Sequence, residues 1–379
     1  MKYILYDEEQ KLYFIDLGLM IFLKVQFPVE HPSAFVFNIN EESLSDEISK
    51  IKTQFNSCFK PNKIFFDFER INFCTARVFK VLIDNFKEFE LVFYNIKNNQ
   101  RRIIETYYSD VYGLGSKQYL DALKVEKQIE EDCALQIAYS LGQTNIKSQD
   151  DADFNELILL KEKKWCDILQ DCAISENQHI FRADMQKANK YFDLSLLDQD
   201  VFEFKLVIYY LILKLLSWIQ KYKKVKWEQK NGKEILVDAE GEKKILLVSS
   251  SVTGAIVANA IGCYLNIPTI FIISLGPERQ DDEKGKRLRK GINFDLIKNE
   301  KMIYIFDIIR FGREYGNLES ILTSHNGRFF AALGIANYYF NISVHNQLGP
   351  TDIISLVDIR DSEEYLDYKI EGEISNDKL

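Results

Sequence analysis

The sequence predicts an α/β protein of two domains, the second built on a parallel sheet covered by helices on both faces. Three observations carry that expectation. At 379 residues the chain exceeds the usual size of a single hydrophobic core. Strand-like and helix-like periodicities alternate along most of it. In the C-terminal half the strand-like segments ILLVS, TIFII and MIYIF are continuous apolar runs, the pattern of strands buried on both faces.

Composition excludes some classes. Hydrophobic residues at 46%, with 27 Phe and 20 Tyr, supply a large core and argue against disorder. A net charge of -9 argues against direct binding along a nucleic-acid backbone, which needs an excess of Lys and Arg. The six cysteines (58, 74, 133, 166, 172 and 263) show no paired metal-ligand spacing and read as buried thiols, and no metal site is expected. The start MKYILYDEEQ lacks the features of a signal peptide, which fits a cytoplasmic protein. Residues 204–222, FKLVIYYLILKLLSWIQKY, approach the length of a membrane span, but Lys205, Lys214 and Lys221 predict a buried helix instead.

The first domain is expected over 1–115. A short strand, AFVFN, leads into a helix over 41–59 with Ser43 as its expected N-cap. KIFFDF is a strand, TARVFKVLIDNFKEF a helix and ELVFYNI a strand again. This order resembles the STAS-like fold of sulphate transporters and anti-sigma factor antagonists. The resemblance implies a small α/β interaction domain, with Thr75 in INFCTARVF near the position of the family's phosphorylated residue; the alternative role for Thr75 is a helix cap.

A helical connector is expected over 116–200, with apolar residues three and four apart in 117–141 and again in 154–174. The stretch GQTNIKSQDDADF between them is the most loop-like part of the chain. His179 has no partner at metal or triad spacing and reads as incidental.

The third segment, 201–379, opens with the long helix. KVKWEQKNGKEILVD then predicts a β-hairpin turning at Asn231 and Gly232, a pair suited to the positive φ angles of a two-residue turn. KKILLVSSS, VTGAIVANAIGCYL and PTIFIIS form one strand, helix, strand unit of a parallel sheet. A long charged loop over 275–300 precedes a strand at 302–306, an acidic residue, a turn containing Gly312 and a helix; RFFAALGIANYYF adds another strand.

From 201 to 361 this order resembles the type I phosphoribosyltransferases. In that family a strand runs into two acidic residues that hold ribose hydroxyls, then into a small-residue loop that cradles a phosphate. The resemblance places Phe306 at the first acidic position and Asp307 at the second, with Arg310, Gly312 and Arg313 in the phosphate turn. It places Ser249, Ser250, Ser251, Thr253 and Gly254 at the pyrophosphate loop, where hydroxyls and a glycine precede a helix N-terminus. The 275–300 loop matches the mobile flap, whose Arg279 and Lys284 would meet a diphosphate; a solvated charge run is the alternative reading. Asp307 is alternatively a helix-proximal cap, and Arg310 and Arg313 plain solvated residues.

The implied ligand is phosphoribosyl pyrophosphate or a nucleotide, with magnesium as the implied cofactor. Phe306, Phe311 and Glu314 depart from the family pattern, which favours a binding or regulatory protein over a standard transferase. The alternatives are an active transferase on an unusual nucleotide and a ligand-free scaffold. The pairing of the two modules implies a protein partner or homo-oligomer, with a place in a bacterial stress or defence complex.

Overall fold

The computed structural model describes residues 2–96 except 27–28 and 30–31, then 100, 135–140, 143–148, 152–174, 179–180, 187–188, 191–194, 197, 200–222, 225–241, 243–272, 300–309, 313–324, 326–337, 352–359 and 370–371. The chain forms two compact units, Met1–Val25 with Ala34–Lys164, and Gln26–Ser33 with Trp165–Leu379. The interval 116–200, expected as a connector, is divided between them.

In the first unit, β1 (Ile4–Asp7) and β2 (Leu12–Asp16) form a hairpin, followed by α1 (Leu17–Phe22), β3 (Phe37–Ile39), α2 (Glu41–Ser57), β4 (Lys63–Asp67), β5 (Ile71–Cys74), α3 (Ala76–Phe86), β6 (Glu90–Ile96), β7 (Leu135–Ser140), β8 (Gln143–Ser148) and the part of α4 (Ala152–Asp171) up to Lys164. A six-stranded sheet runs β1-β2-β4-β6-β7-β8, with β2, β4 and β6 parallel and the outer strands antiparallel. Strand alternation sorts the aromatic side chains. Phe14 stacks on Phe65 at 4.3 Å on the face that meets Leu160 of α4, while Tyr13 meets Phe55 of α2 and Phe66 meets Phe86 of α3 on the other.

Three expectations are corrected here. The N-cap of α2 is Asn40, not Ser43: the Asn40 side chain accepts the Ser43 amide at 2.9 Å and the Ser43 hydroxyl accepts the Asn40 amide at 3.2 Å, a reciprocal box with Ser43 inside the first turn. Residues 135–140, expected as helix, and 143–148, expected as loop, are strands that extend the sheet. The alternation of Leu135, Ile137 and Tyr139 with Gln136 and Ser140 has period two, which decided the outcome. Of the cysteines, 74, 166 and 172 are buried, but Cys58 is exposed because it follows the last turn of α2; Cys133 lies outside the described residues. Thr75 stands at the N-cap of α3, yet its hydroxyl donates to Glu41 at 3.2 Å rather than capping.

The second unit opens with the two-residue strands β9 (Ala173–Ile174), β10 (His179–Ile180), β11 (Lys187–Ala188) and β12 (Tyr191–Phe192), then the long helix α5 (Val201–Lys221). Asp200 caps α5 by accepting from Phe202 and Glu203 amides. Eleven of its residues between Leu206 and Ile219 are buried, and Trp218 Nε1 donates to Asp352 at 2.7 Å. Among the described residues no helix is long and apolar enough to cross a membrane.

The hairpin β13 (Val225–Lys230) and β14 (Lys233–Asp238) turns at Asn231 and Gly232, with φ of 54° and 75°. There follow β15 (Ile245–Ser249), α6 (Val252–Leu265), β16 (Thr269–Phe271), β17 (Lys301–Ile309), α7 (Arg313–Ser324), β18 (Arg328–Asn337), β19 (Asp352–Asp358) and β20 (Ile370–Glu371). The five strands β16-β15-β17-β18-β19 form an entirely parallel sheet. Helix α7 packs on the face carrying Leu246, Val248, Tyr304 and Phe306, and α6 lies along β15 and β17. The segment 26–33 joins this unit through Val29, whose amide donates to the Tyr264 carbonyl, and Ser33, whose amide donates to Glu234.

Candidate functional site

Numbered within the sheet, the strand order is 2-1-3-4-5. Chain direction across the sheet reverses between its first and third strands, β15 and β17, so the helices that follow them leave on opposite faces. Their carboxyl ends flank the switch point, the place where open parallel sheets receive ligands. The register brings specific residues there. Val248 pairs with Tyr304, so three residues further along each chain Ser251 comes beside Asp307.

Ser251 ends the run out of β15 and caps α6, its hydroxyl oxygen accepting the Gly254 amide at 3.0 Å. Its side chain also faces the Asp307 carboxyl closely enough to favour the charged form. Asp307 Oδ1 accepts the Ile308 amide at 2.7 Å. Burial pushes the Asp307 carboxyl above its ordinary range, and the bonds from Ile308, its own amide and Ser251 pull part of the way back. Ser250 shares a hydrogen bond of 2.8 Å with the hydroxyl of Tyr304. Ser249 is fully buried, and its hydroxyl donates to the Ser251 carbonyl at 3.3 Å.

The structure therefore brings Ser249, Ser250, Ser251, Gly254 and Asp307 to one place, while Thr253 sits partly exposed on the first turn of α6. Their roles differ. A β-carbon on Gly254 would fall 2.4 Å from Ser249 Oγ, 2.6 Å from Ser251 Oγ and 3.0 Å from the Ile305 carbonyl, so this glycine lets α6 approach β17. Asp307 lies within β17 and not after it, because the strand continues through Ile308 and Ile309. Arg313 begins α7; Arg310, Gly312, Arg279 and Lys284 lie outside the described residues.

Tyr304 is the residue that sequence reasoning missed. It is a phenol within the buried run Met302–Phe306 of β17, and such hydroxyls find a partner; Ser250 is within reach because β15 and β17 are neighbours. Phe306 is buried in the core beneath α7 and offers no ligand oxygen to the switch point. A divalent cation of the magnesium type needs several oxygen ligands in near-octahedral array. Asp307 alone of the expected acidic pair is present, and among the described residues no group of three or more His, Cys, Asp or Glu could hold a metal ion. The described residues do not fit a protein-built magnesium site.

No protein-family model and no curated protein matches the chain. Solved structures that are similar include orotate phosphoribosyltransferase from Aeropyrum pernix, with a TM-score of 0.36 and 11% identity over 54% of this chain and 99% of that one. Adenine phosphoribosyltransferase from Saccharomyces cerevisiae gives 0.34 and 10% over 51% and 99%. Orotate phosphoribosyltransferase from Mycobacterium tuberculosis in complex with 5-phospho-α-D-ribosyl 1-diphosphate gives 0.32 and 11% over 53% and 90%. These likenesses are weak, and the reading below rests on the geometry.

Proposed function

We propose that the second unit binds a phosphoribosyl or nucleotide ligand at the crevice between β15 and β17 and has given up the standard transfer reaction. The observation that carries this reading is the meeting of Ser251 and Asp307 at the switch point of a parallel sheet. A helix leaves its first amides without partners inside the helix. In α6 the Gly254 amide is taken by Ser251 and the Ala255 amide by the Ser251 carbonyl, so the Val252 and Thr253 amides are the ones assigned to a phosphate, aided by the helix dipole. Asp307 is assigned to a sugar hydroxyl.

Loss of transfer follows from electrostatics. Transfer of a ribosyl group develops positive charge on the sugar, and an enzyme lowers that barrier by fixed charges and by holding the leaving group. Phe306 contributes neither. The test is thermal melting with phosphoribosyl pyrophosphate, ribose 5-phosphate and nucleoside monophosphates. A ligand at about a hundred times its dissociation constant raises the melting temperature by about 5–10 °C for a unit of this size. Asp307→Ala and Ser250→Ala are expected to reduce that rise. Absence of any rise in the parent protein refutes ligand binding, and release of pyrophosphate in the presence of an acceptor base refutes the loss of transfer.

A further inference from the structure

A hydrogen bond between Ser250 and Tyr304 links the loop that opens α6 to the core beneath α7. Ser249 turns towards α6, where its Oγ would lie 2.4 Å from a β-carbon on Gly254. Ser250, the next residue, turns the other way, and its hydroxyl lies 2.8 Å from that of Tyr304. We propose that Tyr304 is a positioning residue for the anion of the ligand: its hydroxyl donates to Ser250 and leaves the Ser250 proton to be donated to a phosphate oxygen at the N-terminus of α6. This role rests on the assignment of that terminus to a phosphate.

The two hydroxyls are unequal. A phenol is more acidic than an aliphatic alcohol, so in a bond that either oxygen could donate, Tyr304 is the better donor and Ser250 the acceptor. A hydroxyl that accepts such a bond becomes a stronger donor in turn. The Ser250 proton then suits a group that only accepts, a phosphate or a sulfate. Exposure separates the two residues as well: Tyr304 is 3% exposed, whereas Ser250 is part-buried, immediately before the Ser251 cap of α6.

Packing makes Tyr304 a rigid support. Its ring lies in the core under α7, with centroids 5.5 Å from Tyr315 on the first turn of that helix and 5.5 Å from Phe329 of β18. A ring enclosed in this way keeps its hydroxyl in one place. A serine side chain left to itself samples three staggered rotamers, and fixing it before the ligand arrives removes that cost from binding. The Val252 and Thr253 amides are held by the helix backbone itself. The Ser250 hydroxyl needs a side chain to hold it, and Tyr304 supplies one from the α7 face of the sheet.

The experiment is sulfate titration of the full chain, followed by the NMR shifts of the Val252 and Thr253 amides. Tyr304→Phe keeps the ring and removes the hydroxyl, and is expected to raise the sulfate dissociation constant about threefold or more, the factor set by one rotamer among three. Ser250→Ala is expected to raise it at least as much, and the double variant no further than Ser250→Ala, because Tyr304 acts through Ser250. Tyr315→Phe controls for packing: it removes a neighbouring buried hydroxyl, which donates to Glu319 at 3.3 Å, and is expected to keep the parent constant. Parent affinity in Tyr304→Phe, a further loss in the double variant, or an equal loss in Tyr315→Phe overturns the proposal. Parent amides that do not respond to sulfate overturn the phosphate assignment with it, a result distinct from a parent and a Tyr304→Phe variant that bind alike. If Tyr304→Phe does not fold, Ser250→Ala and Ser250→Thr decide. Loss in the first and recovery in the second support the proposal; parent affinity in the first, or no recovery in the second, overturns it.

Discussion

Phe306 and Gly334 are register partners on β17 and β18, and the phenyl ring fills the space that a β-carbon on Gly334 would need: such an atom would lie 2.2 Å from Phe306 Cδ2. The glycine is thus the counterpart of the aromatic ring at position 306, inside β17. The Tyr304 ring stacks beside Phe306, with centroids 6.2 Å apart.

Gly334→Ala is expected to destabilise the second unit by about 1–3 kcal/mol, the usual result of overfilling a packed core. Urea unfolding measures it. Combining Gly334→Ala with Phe306→Leu should cost less than the sum of the two changes, since the smaller side chain vacates the contested space. Additive costs would mean that the ring is not what excludes the methyl group.

Gly254→Ala tests a similar contact with a different opponent. Exchange of glycine for alanine within a helix ordinarily stabilises by about 1 kcal/mol. Here the new methyl would meet two serine hydroxyls and the Ile305 carbonyl, and a backbone carbonyl in the middle of a sheet cannot turn aside. The expected outcome is a net loss of about 1–2 kcal/mol. Gain of stability would show that α6 can move off β17 without penalty.

These glycines mark where sequence reading stopped. The unit from β15 to β16 was legible because each boundary had a local cause: an apolar run ending in three serines, a helix capped by Ser251, and Asn266 in a left-handed conformation at its end. The meeting of the serines with Asp307 was legible from the strand order that such a unit imposes. The roles were not. Gly254 read as part of an anion cradle because close approach of a helix and a strand leaves no trace in composition. Asp307 read as the end of a strand because a carboxylate interrupts the apolar pattern, although Ile308 and Ile309 resume it. Strand β7 was obscured by charged neighbours whose spacing mimics a helix, and β8 by the polar composition of QTNIKS, which reads as a loop.

The pH response of the crevice follows from the burial of Asp307. Its raised carboxyl is protonated below its folded value, and in that form it does not repel an anion on α6. Sulfate is the suitable probe, because its charge is constant across the window whereas a phosphate monoester titrates near 6. The rise in melting temperature caused by sulfate is expected to be larger on the acid side of the Asp307 midpoint and to shrink as pH increases. Asp307→Asn should give a rise with no such slope. An equal slope in both proteins would separate the carboxyl from the anion.

Glu47 provides the opposite pH dependence in the first unit. It is almost wholly buried on α2, where it accepts from the Tyr3 hydroxyl, from Lys50 at 2.7 Å and from Lys24 at 2.9 Å. Burial pushes its carboxyl up, but the bonds from Lys50, Tyr3 and Lys24 outweigh that and hold it below the ordinary 4.5. A carboxyl lowered in the fold adds stability above the ordinary value, and this is lost as pH falls through the folded value. Tyr3→Phe removes one of the three donors and leaves a buried carboxylate short of a partner. The expected cost is about 1–3 kcal/mol at neutral pH. That cost should diminish in acid as Glu47 takes up a proton, so parent and variant melting curves converge towards low pH. A constant gap at every pH would assign the loss to packing of the tyrosine hydroxyl and not to the charge it serves.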